Sequence, residues 1–187
     1  MLRPGKGTAM PNHANHQLAA ALQRAESVFR RRPDMGMHDD LPASARWERD
    51  TRVIVNHTNG TQIASDMPSE LGGTGDRVTP GWLFRAGVAS CATTTIVMAA
   101  AARDIELAAL EVRVSSRSDT RGILGMEGTD GTRVFAGPSE VEMRVKITAP
   151  GVAPDVVHAL IEEGLRRSPI PNALQTALPM TLHVDIE

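Results

Sequence analysis

The chain is short of several things at once. It has no tyrosine, three phenylalanines and two tryptophans, so aromatics make up only 3% of its 187 residues. With 41% hydrophobic residues a sizeable core is still affordable, but it must be built from Ala, Val, Ile, Leu and nine Met, the last acting as gap filler. A single cysteine, Cys91, excludes an internal disulfide and any multi-cysteine metal site. A net charge of −2 and a pI near 6.3 give no basic surplus and argue against a nucleic-acid partner. The one basic run, Arg30-Arg31-Arg32, ends a predicted helix, where it complements the helix dipole. The most apolar run, Ile96–Ala102, falls short of the roughly 20 residues that span a bilayer. The opening MLRPGKGTAMPNHANHQ lacks the apolar segment of a secretory signal. Together these absences predict a soluble protein of the reducing cytoplasm with no membrane partner. The six histidines, at 13, 16, 38, 57, 158 and 183, show no ligand spacing, so no metal is expected; His57 and His183 read as solvent-facing strand residues. GxGxxG is absent and no Gly-Lys-Ser/Thr follows the glycine-rich GGTGDR at 72–77, so no cofactor is expected and that loop reads as structural rather than phosphate-binding.

What is present is a clear alternation of helical and strand periods. The length suits one domain with an extra segment. Residues 1–15 mix Gly, Pro, Asn and His without period and are expected to be disordered, with Met10 an alternative start. Residues 16–46 hold an amphipathic helix, with Leu18, Ala21, Leu22, Ala25, Val28 and Phe29 on one face, ended by Pro33 and followed by a linker. Residues 47–187 form the main domain. There TRVIVNHTNGTQIASDMP predicts a hairpin around Asn59-Gly60. Thr79 as N-cap and Pro80 in the first turn open a helix reaching Arg103, apolar almost all round and therefore expected to be buried on every face. Leu110, Val112 and Val114 alternate inward against Glu111, Arg113 and Ser115. Val141, Met143, Val145 and Ile147 alternate again, as do Met180, Leu182, Val184 and Ile186 in a last predicted strand. Between these lies a helix from Pro154 stopped by Pro169. Hairpins segregated from helices predict an α+β fold with antiparallel sheets around the long central helix.

Cys91 shares a helix face with Phe84, Gly87, Val88, Thr94, Thr95 and Met98. By composition it is a small buried hydrophobe, since a reactive thiol needs access and a nearby positive charge. Arg85 stands six residues earlier, roughly 240° round the helix, and faces elsewhere.

Five stretches in order change that weighting. PSELGG (68–73), TPGWLFRAGVASC (79–91), AARDIELAALEVRV, SDTRGILGM (118–126) and RRSPIPNAL (166–174) resemble the OsmC/Ohr family, the osmotically induced and organic-hydroperoxide-resistance proteins, in its OsmC-like branch. The resemblance covers residues 47–187. It implies an α+β OsmC-like fold in an intertwined homodimer whose central helices are buried between shared sheets. It also implies a thiol-dependent peroxidase (a peroxiredoxin-type activity in oxidative stress) acting on small organic hydroperoxides and recycled by a thiol reductant.

Carried over residue by residue, the implied site is partial. The attacking cysteine corresponds to Cys91. The arginine that lowers its pKa corresponds to Arg49 in WERDTR (47–52), with Arg52 as the alternative. The glutamate that holds this arginine falls on Gly81, with Glu70 or Asp76 as possible substitutes. The resolving cysteine falls on Ser168, which cannot form a disulfide. A peroxidase cycle would then be of one-Cys type with an external thiol, or would use a Cys91–Cys91 disulfide across the dimer. The rival readings are a non-catalytic dimer binding an apolar small molecule in the interface pocket, and a hydrolase or acyl-transfer thiol, for which no matched general-base histidine exists.

Overall fold

The computed structural model describes residues 13–186. Residues 1–12 of the expected disordered N-terminus, Met10 among them, lie outside the described part. The chain is a mixed α+β protein with antiparallel strands and one long helix, in the order α1 (His13–Arg31), β1 (Ser44–Arg49), β2 (Arg52–Asn56), β3 (Gln62–Ser65), α2 (Pro80–Ala102), β4 (Ala109–Ser118), α3 (Thr120–Ile123), β5 (Pro138–Thr148), α4 (Pro154–Arg166) and α5 (Pro169–Leu174). Among the described residues these elements group into two compact units, one of residues 13–24, 88–113 and 143–186, the other of residues 25–87 and 114–142.

The second unit is organised by the three-stranded sheet β1-β2-β3. The expected hairpin forms, β2 and β3 pairing antiparallel from Val53↔Ser65 to Asn56↔Gln62. The chain reverses over residues 57–61: the His57 N–H donates to the Thr61 carbonyl at 2.9 Å and Gly60 takes φ 91°, a left-handed value that glycine adopts freely. Strand β1 is not foreshadowed by the sequence, because every residue of it is exposed and no apolar period marks it. It pairs antiparallel with β2, from Ser44↔Asn56 to Arg49↔Arg52. Helix α2 starts in this unit, and its Thr79 cap forms as expected, Oγ1 accepting from the Trp82 N–H at 3.1 Å.

The first unit holds the core. Ala99 and Ala100 of α2 and Leu160 of α4 are fully buried, with Ile105, Leu107 and Ile147 packed round them. Helices α2 and α4 approach so closely that a Cβ on Gly164 would lie 2.8 Å from the Cα of Ile96, so only glycine fits there. The alternation expected for β4 holds: Leu110 and Val112 are partly buried while Glu111 and Arg113 are exposed. After α4, Pro169 does not simply stop a helix; it opens the six-residue α5, as its fixed φ allows at a first helical position.

Two expectations need correction. Helix α2 is not buried on every face within one chain. Val88, Ala92, Thr95, Ile96 and Ala99–Ala101 are buried, but Trp82 is 48% and Met98 36% exposed. Taken whole, it is long and apolar enough to cross a membrane by length and composition, which the run Ile96–Ala102 alone is not. The last predicted strand is also not formed. Residues 175–186 adopt no regular structure beyond a turn after α5, and Met180, Leu182, Val184 and Ile186 all stand exposed. The alternating pattern is there, but a strand needs a neighbour to exchange hydrogen bonds with, and among the described residues no strand pairs with this segment.

Candidate functional site

Cys91 lies in the middle of α2 and is partly buried. The threonines that follow it can sit inside a helix because their hydroxyls turn back on it: Thr93 Oγ1 donates to the Ala89 carbonyl at 2.8 Å, and Thr95 Oγ1 to the Cys91 carbonyl at 3.1 Å. The Cys91 sulfur itself faces the turn between α4 and α5. Ser168 Oγ donates to Sγ at 3.2 Å, and the Ile170 backbone N–H donates to it at 3.4 Å. Ser168, expected to match the position of a resolving cysteine, is therefore in direct contact with Cys91. Its side chain is fully buried.

The two candidate arginines stand opposite each other in the β1–β2 register, at the closed end of that hairpin. Their surroundings differ. Arg49 is exposed, with its guanidinium 3.6 Å from the Asp50 carboxylate. Arg52 is buried and engaged on several sides. Its Nε and Nη2 donate to Asp66 Oδ2 at 3.2 and 3.0 Å, and Nη2 also reaches Thr74 Oγ1 and the Asp76 carboxylate. Among the substitutes considered for the missing glutamate, Asp76 thus does hold an arginine, whereas Glu70 is exposed in a one-turn helix, Ser69–Leu71.

Asp66, which no motif or periodicity singles out, is the centre of this network. Besides Arg52 it accepts from Thr51 Oγ1 at 2.7 Å, the Met67 N–H at 2.8 Å, the Thr74 N–H at 3.2 Å and Thr74 Oγ1 at 2.8 Å. These bonds, that of Thr51 foremost, hold its carboxyl well below the ordinary carboxylate range. The Thr74 hydroxyl, followed by the Arg52 charge, likewise lowers the Asp76 carboxyl. The Asp66 bond raises the Arg52 guanidinium further. The GGTGDR loop is thereby explained: its Thr74 N–H serves an internal carboxylate rather than an external anion, while those of Gly73 and Gly75 go to the Pro68 and Met67 carbonyls at 3.1 and 3.2 Å. Gly73 is required there, because a Cβ would fall 1.8 Å from the Met67 carbonyl oxygen and 2.8 Å from the Asp66 carboxylate.

At Gly81 the first turn of α2 is open on the side of Arg85: a Cβ built there would be 3.6 Å from Arg85 Nη1, which donates to Ser116 Oγ at 3.1 Å. Among the described residues no group of three or more His, Cys, Asp and Glu side chains could hold a metal ion. His57 and His183 are exposed.

Solved structures share this architecture. An OsmC-like protein from Mycoplasma pneumoniae superposes with a TM-score of 0.62 at 23% identity, covering 74% of this chain and 89% of that one. An organic hydroperoxide resistance protein from Elizabethkingia anophelis gives 0.57 at 25% identity over 74% and 90%. A Legionella pneumophila protein described as an organic hydroperoxide resistance protein and predicted redox protein gives 0.51 at 23% over 74% and 91%. No curated protein matches the chain. The family model for OsmC-like protein matches residues 73–183, from the glycine loop through Cys91 and Ser168 and into the last alternating segment, and the chain belongs to that family.

Proposed function

We propose that this protein is a one-Cys thiol peroxidase that reduces organic hydroperoxides through Cys91. The observation that carries the reading is the environment of Cys91, a residue only partly buried whose sulfur receives two hydrogen-bond donors, an arrangement suited to a nucleophilic thiolate. Two of the related structures are named organic hydroperoxide resistance proteins, which supports the substrate class. In the reaction the Cys91 thiolate attacks the outer peroxide oxygen. An S–O bond forms as the O–O bond breaks, the peroxide leaves as an alcohol after taking one proton, and the sulfur is oxidised to sulfenic acid. One external thiol then forms a mixed disulfide with loss of water, and a second releases reduced Cys91 and a disulfide of the reductant. Ser168 cannot take part as a thiol, which makes the reductant external.

Of the two candidate arginines, Arg49 is paired with the Asp50 carboxylate. Arg52 faces two carboxylates, so its group carries a net negative charge and does not favour a thiolate. We further propose that the protein works in the cytoplasm as a homodimer, the second copy covering the open side of α2 and pairing with the segment from Met180 to Ile186. Light scattering behind a sizing column tests this, and a monomer would count against it.

Peroxide consumption by wild type and Cys91→Ser, with cumene hydroperoxide and either dithiothreitol or a dihydrolipoyl donor, tests the activity. The expected outcome is Cys91-dependent loss of peroxide well above background. Equal rates for the two proteins refute it and favour the second reading, a non-catalytic dimer that binds an apolar small molecule. That reading draws support from Gly81 and from the two carboxylates on Arg52, which leave the family's arginine–glutamate pair without a direct counterpart.

A further inference from the structure

The Ser168 hydroxyl does not do what its position invites. Ser168 is the N-cap residue of α5, where a serine oxygen ordinarily accepts from the N–H two or three residues on. No such cap bond forms. The hydroxyl turns to Cys91 instead, and the Ile170 N–H, one that a capping oxygen would take, goes to the same sulfur. The sulfur thus stands in for the cap.

The arrangement is rigidly held. The Ser168 N–H donates to the Leu165 carbonyl and its own carbonyl accepts from Asn172, both at 3.1 Å. Pro169 sits between the two donors with a fixed φ and no N–H of its own. Since Ser168 is fully buried, its hydroxyl cannot turn to bulk water. A neutral thiol is a weak acceptor, whereas a thiolate receives charge-assisted bonds about twice as strong as neutral ones. Two donors fixed on one sulfur therefore favour its charged form.

We infer that Ser168 is a positioning residue that, with the Ile170 N–H, holds the Cys91 sulfur as thiolate and, after oxidation, keeps it as a sulfenic acid open to an external thiol. The second half of this statement rests on the peroxidase reading; the first does not. Hydrogen bonding at Ser168 supplies the stabilisation for which a cationic partner is otherwise sought, and the absence of sulfur there leaves the oxidised state without an internal trap.

The test is the pH profile of Cys91 alkylation by iodoacetamide in wild type and Ser168→Ala. The expected result is an alkylation rate at pH 7 lower by about tenfold, the whole profile displaced to higher pH, and an unchanged limiting rate in alkali. A structural role alone would not displace the profile. Coincident profiles overturn the inference. Ser168→Cys guards against a folding defect in the alanine variant, being nearly isosteric. One equivalent of cumene hydroperoxide should join its introduced thiol to Cys91, read by mass spectrometry as the loss of two hydrogens. Wild type should gain one oxygen and form a dimedone adduct. A dimedone adduct in place of the disulfide in Ser168→Cys shows that position 168 does not address the sulfur, and overturns the inference. A wild type that forms no adduct, yet shows the displaced profile against Ser168→Ala, removes the peroxidase reading and leaves the thiolate role standing.

Discussion

Asp66 and Cys91 are both acceptors placed among converging donors, and they are built to opposite ends. Asp66 is 2% exposed and takes bonds from two threonine hydroxyls, two backbone amides and a guanidinium. These donors occupy its carboxylate oxygens and hold its carboxyl well below the ordinary carboxylate range. Cys91 takes two donors and keeps part of its surface open. Saturation makes a structural anchor, and incomplete saturation leaves a group that can react. The contrast also separates the arginines. Arg52 belongs to the saturated centre, while Arg49 shares its hairpin but not its carboxylates.

The largest expected effect breaks the saturated centre. Asp66→Ala takes from the buried Arg52 the carboxylate that accepts two of its hydrogen bonds, and the melting temperature should fall by about 10 °C. A change of only a degree or two would mean that the network is not a stability element. The same carboxylate predicts a pH response. Its folded value lies below its ordinary 3.8, so its contribution is complete above about pH 4 and is lost as the pH falls below that. The gap in melting temperature between wild type and Asp66→Asn should therefore narrow from pH 7 to pH 3; a constant gap would refute the assignment.

On the cysteine side, Gly164→Ala forces a methyl against Ile96 where α4 meets α2, and should destabilise by about 1–3 kcal/mol in denaturant unfolding. Because α4 leads directly to Ser168, it should also slow Cys91 alkylation. Ser65→Ala has the opposite sign. The Ser65 hydroxyl is buried next to Asp66 in sequence but has no partner among the described residues, so removing it should stabilise by about 1 kcal/mol. Gly81→Ala should be the mildest, raising stability by about 0.5–1 kcal/mol, since the added methyl meets Arg85 Nη1 at ordinary contact distance. A loss of stability there would show that the glycine is required.

How much of this could be read from residues alone follows the range of the forces involved. Helix α2 with its Thr79 cap, the β2–β3 hairpin and the alternating β4 were legible because their signals are local. Strand β1 was not, since both its faces are wet and only pairing with β2 defines it. Helix α5 was hidden because Pro169 reads equally as a stop and as a start. Cys91 stood out by being the sole cysteine and through the family resemblance. Asp66 stood out by nothing: its six bonds come from residues 51, 52, 67 and 74, and no window of sequence brings those donors together. The Ser168–Cys91 contact, 77 residues apart, was visible only as a correspondence of positions.

The apolar ladder of Met180, Leu182, Val184 and Ile186 has a practical side. An exposed, alternating segment of this kind is a template for pairing with an open strand edge. If that edge belongs to a second copy, dilution acts as a denaturant, and the melting temperature climbs with protein concentration. Trimming the last residues of an expression clone would then not tidy a loose end. It would remove the part that makes one molecule depend on another.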